Sequence, residues 1–140
     1  MDVDVGDNLS QYLRSRREVA QFVAARVYPD AAPENAQNCQ LGDYCTYSLI
    51  SYAPDSDLSG GIGFAQTRMQ VNCCSLLKKR ADLLRGRVKD LMAGFRGRLA
   101  ALIVTGCEAA GKFDNYLPPV VGETTGVYVR GIDLLISHLE

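Results

Sequence analysis

The chain has 140 residues, 47% of them hydrophobic, with 15 Lys and Arg against 16 Asp and Glu. That size fits one domain spanning 1–140, able to bury roughly two-thirds of its unfolded surface. The longest apolar run, 99–104, is far short of the roughly 20 residues of a membrane helix, and Met1-Asp2-Val3-Asp4 is the opposite of a signal peptide's basic opening, so no membrane role and a cytoplasmic protein are expected.

In chain order, residues 1–8 read as a flexible acidic arm, and 9–25 as a helix. Leu9, Tyr12, Leu13, Val19 or Ala20, and Val23 lie on one side of that helix; Arg14, Arg16, Arg17 and Glu18 lie largely on the other. Pro29 and Pro33 force an extended loop that stays polar through Asn38. Residues 44–52 are rich in Tyr, Thr, Ile and Ser and predict a first strand, with Cys45, Tyr47 and Leu49 on one face and Thr46, Ser48, Ile50 and Tyr52 on the other. Residues 53–63 then make an extended hairpin loop able to project from the sheet.

Over 64–73 the residues alternate. Ala65, Thr67, Met69, Val71 and Cys73 point to the core; Phe64, Gln66, Arg68, Gln70 and Asn72 form a mostly polar face. Ser75 is read as an N-cap. After it the period becomes helical, with Leu77, Ala81, Leu84, Val88, Leu91 or Met92, and Phe95 on one stripe. A third strand at 99–107, a long connection over 111–126 and a fourth strand at 127–138 close the chain. The expected fold is a two-layer α+β domain, a mainly antiparallel four-stranded sheet with two helices packed on one face and the other face left open for assembly.

Little in this sequence carries chemistry. Asp55, Asp57, Ser59 and Gly60 resemble half of a calcium loop, but Gln66 stands where a bidentate Glu belongs and strands flank the segment, so a polar loop tip is expected. Gly60-Gly61-Ile62-Gly63 lacks the Lys-Ser or Lys-Thr of a phosphate loop. The single histidine, His138, reads as a surface residue at a strand end and a poor general base. Five cysteines without a secretory signal read as small buried hydrophobes with reduced thiols, and neighbours Cys73 and Cys74 point to opposite faces of a strand. No enzyme, metal or cofactor is expected.

Charge is unevenly placed. Residues 78–98 hold eight basic side chains against Asp82 and Asp90, a balance of +6, which leaves seven basic against fourteen acidic residues elsewhere, a balance of -7. Such a molecule can meet copies of itself head to tail. The same basic helix could instead track nucleic-acid phosphates or simply be a solvated face.

The order Arg26-Val27-Tyr28-Pro29 with Ala32-Pro33, a Tyr-rich strand, Gln66-x-Arg68-x-Gln70-Val71, and a helix ending near Gly94-Phe95-Arg96-Gly97 resembles the tail-completion, or tail-terminator, proteins of long-tailed bacteriophages and gene transfer particles. The resemblance covers roughly 9–135; the extra cysteines and the Lys112 to Thr125 connection depart from it. It implies a virion protein that forms a ring, usually sixfold, at the head-proximal end of the tail tube. There it would stop tube polymerisation and meet the head connector, while DNA passes through the lumen without specific binding. The residues assigned to subunit or partner contacts are Asp55, Asp57 and Leu58 in the loop, Gln66, Arg68 and Gln70 on the polar strand face, and Lys78, Arg85 and Lys89 on the basic helix. The alternatives are a nucleic-acid-binding module using 78–98, and a neighbouring virion part such as a head-closure or tube protein.

Overall fold

The computed structural model describes residues 4–54, 63–119 and 125–139. Among them the chain forms helices α1 (Val5–Ser15), α2 (Arg17–Val23) and α3 (Lys78–Met92), and strands β1 (Val27–Pro29), β2 (Tyr44–Pro54), β3 (Phe64–Ser75), β4 (Gly97–Leu99), β5 (Leu102–Leu117) and β6 (Val127–Leu139). The sheet order is β1-β2-β3-β6-β5-β4, with β1 parallel to β2 and every other pair antiparallel. The α+β class holds, but the sheet has six strands instead of four and the helices number three instead of two.

The predicted first helix is two. Leu9 and Leu13 are buried, and a continuous helix would next bury Ala20, one heptad beyond Leu13. Instead Arg16 adopts an extended conformation (φ -94°, ψ 125°), and the break rotates Val19 and Val23 into full burial. The helix also starts earlier than expected, so the acidic arm does not reach residue 8. Asp4 caps α1 by accepting the Asp7 N–H at 2.9 Å, and Val5 and Asn8 are buried. Asn8 Oδ1 accepts from the Ala101 N–H at 2.9 Å, which ties the helix to the β4–β5 turn.

β3 keeps the predicted alternation. Ala65, Thr67, Met69, Val71 and Cys73 are all buried, and Met69, Val71 and Cys73 share a core with Leu9, Leu13, Leu84, Val88, Met92, Leu134 and Ile136. β2 departs from its predicted pattern at a bulge between Leu49 and Ser51, which turns Tyr52 to the face of Thr67 and His138. Ser75 is the last residue of β3 and accepts the Leu77 N–H at 3.2 Å, while Leu77 itself occupies the helix cap position and is exposed. The long connection predicted after 111 is largely strand. β5 runs on to Leu117, absorbing extra residues at bulges between Val104 and Gly106 and between Ala109 and Gly111.

The second sheet face is not fully open. Ala32, Ala36 and Cys39 pack with Tyr44, Cys74, Val127 and Val129 into a smaller core, sealing that face at one end. Cys73 and Cys74 therefore do point to opposite faces, and both are buried. The covering loop is pinned by Tyr44 Oη donating to Gln37 O at 2.8 Å, and by Arg26 Nε donating to Asp43 O at 2.9 Å. Gly42 has φ +117°, a backbone conformation that favours glycine, and it lies against the Arg26 guanidinium.

Truncating the fully buried Leu84 to Ala is expected to cost about 2–5 kcal/mol of stability. Leu83→Ala, at a neighbouring site 54% exposed, should change it by less than about 0.5 kcal/mol. Urea midpoints at equal slope measure both.

Candidate functional site

The polar face predicted on β3 forms a strip with β6. Arg68 meets Asp133 at 3.3 Å, Gln70 Nε2 donates to the same carboxylate at 3.4 Å, and Asn72 Nδ2 donates to Thr46 Oγ1 at 3.2 Å. Gln66 is exposed, and Arg68 and Gln70 are half-buried. The register sets Ser51, Arg68, Leu135 and Glu108 side by side on four neighbouring strands of this face. A shallow cavity of about 210 Å³ beside them is lined by Gln66, Arg96, Glu108, Leu135 and Ser137 among others. Asp133 was not legible as a partner of Arg68, because the two are joined only by the β3–β6 register.

The basic helix divides into two populations. Lys78, Lys79, Arg87 and Lys89 are exposed and make no salt bridge among the described residues. Arg80 and Arg85 are engaged within the chain, Arg80 with Asp43 at 2.7 Å and Arg85 with Asp114 at 2.5 Å. Arg85, with its side chain 13% exposed, also donates to Phe113 O at 3.0 Å. Its guanidinium holds the Asp114 carboxyl below the usual carboxylate range. Beside it the buried Arg130 donates to Asp82 at 2.6 Å, fastening α3 to β6. The predicted contact residues thus separate: Lys78 and Lys89 face solvent, Arg85 closes an internal network, and Asp55, Asp57 and Leu58 lie outside the described residues, as does the calcium-like loop.

His138 is corrected outright. It is buried, with Nδ1 2.8 Å from Leu139 O and Nε2 2.7 Å from Thr67 Oγ1. The carbonyl requires a proton on Nδ1, and in the neutral ring Nε2 then accepts from the Thr67 hydroxyl. No sequence-local signal reveals that pairing, because Thr67 sits 71 positions away.

All five cysteines are free and buried. Burial pushes Cys39 and Cys107 up to about 11 and Cys74 up to about 12. Cys45 is raised chiefly by its contact with Cys73, the two sulfurs 3.9 Å apart, and then by burial. Thiolate is the reactive form, so these thiols are inert near neutrality. At pH 8 a disulfide reagent such as DTNB is expected to titrate none of the five over minutes in the folded protein and all five in denaturant; rapid native reaction would contradict the burial described.

No model of a known protein family matches the chain, and no curated protein matches it in sequence. Among solved structures, the chain is similar to one from the "Virion of native gene transfer agent (GTA) particle", at 17% identity and a TM-score of 0.70, over 97% of this chain and 95% of that one. The two share a fold across nearly their whole lengths.

Proposed function

We propose that this chain is a structural virion protein, a tail terminator that forms a ring at the head-proximal end of a tail tube. In this reading it stops tube polymerisation, docks the head connector and acts without catalysis. The observation that carries it is the end-to-end fold likeness to a gene transfer agent virion chain, which agrees with the ordered residue resemblance along 9–135.

The physical work is capping one ring and meeting another. Copies attract through unlike charge: exposed Lys78, Lys79, Arg87 and Lys89 on α3 are available to acidic positions of a neighbour, and exposed pairing of this kind is salt-sensitive. The strip bearing Gln66, Arg68 and Gln70 presents neutral amides and one arginine paired with Asp133, a surface suited to a lumen or tube contact, with the exposed Arg96 at the neighbouring cavity as its one unpaired cation among the described residues. A second reading, nucleic-acid binding through α3, rests on the same four exposed cations, and the engagement of Arg80 and Arg85 with Asp43 and Asp114 weakens it. Another virion part, head-closure or tube protein, fits the fold likeness equally; the residue order favours the terminator.

Sized with the tube protein of its own particle, the purified chain is expected to elute as a ring-sized species at low salt and to shift toward monomer as salt rises. A monomer under every condition, or salt-dependent DNA binding lost in Lys78→Ala/Lys79→Ala, would contradict this reading.

A further inference from the structure

Cys45 and Cys73 are directly opposed in the register of β2 and β3, with their sulfurs 3.9 Å apart. Both side chains are fully buried in the main core. The backbone tells which kind of opposed pair this is. Cys45 N–H donates to Arg26 O at 3.0 Å and Tyr47 O accepts the Asp30 N–H at 2.8 Å, so the polar groups of Cys45 and Tyr47 point toward β1 and away from β3. Cys45 and Cys73 therefore form a non-hydrogen-bonded pair, the kind whose Cα atoms stand about 4.5 Å apart and whose side chains come closest. That spacing lies within the Cα range of about 4.4–6.8 Å that a disulfide spans. Bringing the sulfurs to a bond length of about 2.05 Å is mainly a matter of rotating two small side chains.

The other thiols are placed differently. Cys74 is on the opposite face of β3, with Cys39 in the smaller core, and β6 stands between Cys107 on β5 and Cys73 on β3. Burial withholds the Cys45 and Cys73 thiols from bulky reagents, but their cover is thin on one side. β2 is the second strand from the sheet edge, and at Cys45 its outer side is covered by β1, which is three residues long. Short edge elements open locally while the rest of a fold stays intact. A hydroperoxide is small enough to enter through such an opening.

We infer that Cys45 and Cys73 form a disulfide when the folded chain meets a hydroperoxide, stapling β2 to β3. One thiolate attacks a peroxide oxygen and becomes a sulfenic acid as hydroxide leaves. The second thiolate attacks that sulfur, the S–S bond forms and a second hydroxide leaves. The two thiol protons turn both hydroxides into water, so two thiols and one hydrogen peroxide give one disulfide and two waters. The bond closes the chain over 46–72, which restricts the unfolded state and holds β2 against β3. That closed segment includes Gln66, Arg68 and Gln70 of the polar strip. The inference stands on this pair of residues and goes beyond the virion reading. A chain made with reduced thiols acquires the staple only in oxidising surroundings.

The experiment exposes the purified, folded chain to millimolar hydrogen peroxide at pH 8 over hours, alkylates the remaining thiols in denaturant and maps the peptides without reductant. A peptide pair joined through Cys45 and Cys73 is expected, with the titratable thiols falling from five to three and dithiothreitol restoring all five. The urea midpoint of the oxidised chain is expected to lie above that of the same sample after dithiothreitol, which cleaves the disulfide and leaves any methionine sulfoxide in place. Cys107→Ala is expected to form the same bond, and Cys73→Ala to keep all its thiols. Because a core substitution can itself unfold the chain, the unmodified protein decides the matter. A folded chain that keeps five thiols, a disulfide joining any other pair, sulfinic acid at Cys45 or Cys73 in place of the bond, or a midpoint that dithiothreitol does not lower would each overturn the inference and leave the ring reading intact.

Discussion

β3 lies between β2 and β6, and alternate side chains along it commit to different environments. Met69, Val71 and Cys73 go under the helices, whereas Arg68, Gln70 and Asn72 remain on a polar face. The larger side chains on the buried side each contribute roughly 1.5–3 kcal/mol, more than any single exposed ion pair at about 0–1 kcal/mol. A one-residue slip of this strand would exchange the two sets, so the core fixes the register that brings Arg68 to Asp133 and sets Ser51, Leu135 and Glu108 in the same row. The helices, the polar strip and the position of both sheet edges follow from that one ladder.

The charge asymmetry written into 78–98 acquires a division of labour. Arg80 and Arg85, with Arg130 from β6, fasten α3 to the sheet and to the loop before β2 through Asp43, Asp114 and Asp82. Lys78, Lys79, Arg87 and Lys89 remain outside that network. A charged helix is here partly a clamp and partly a surface, and only the second part is free to meet a partner. Separating them matters because a substitution at Arg85 would disturb β5, whose carbonyl at Phe113 it holds, as well as any contact.

The elements that could be read from the sequence were those with a long, unbroken period: β3, the buried stripe of α3 and β6. The break at Arg16 was hidden because both Val19 and Ala20 satisfy a helical stripe, and only packing chooses between them. β1 and β4 are three residues each, too short for a period to register. β5 was cut short because Gly106, Gly111 and Asn115 resemble a loop; two bulges carry the strand through the first two. The cover over the second face was missed because Ala32, Ala36 and Cys39 are small and sit among prolines and asparagines. At the candidate site, exposure of Lys78 and Lys89 was legible from helical phase. The engagement of Arg85 and the burial of His138 both depend on pairings between distant segments, which a single sequence does not print.

The polar strip and the exposed cations of α3 are the surfaces that the proposed ring would use. The most direct test is to image negatively stained particles from a producing strain lacking this chain. The account predicts overlong tails, or tails and heads that remain unjoined; tails of normal length attached to filled heads would contradict it.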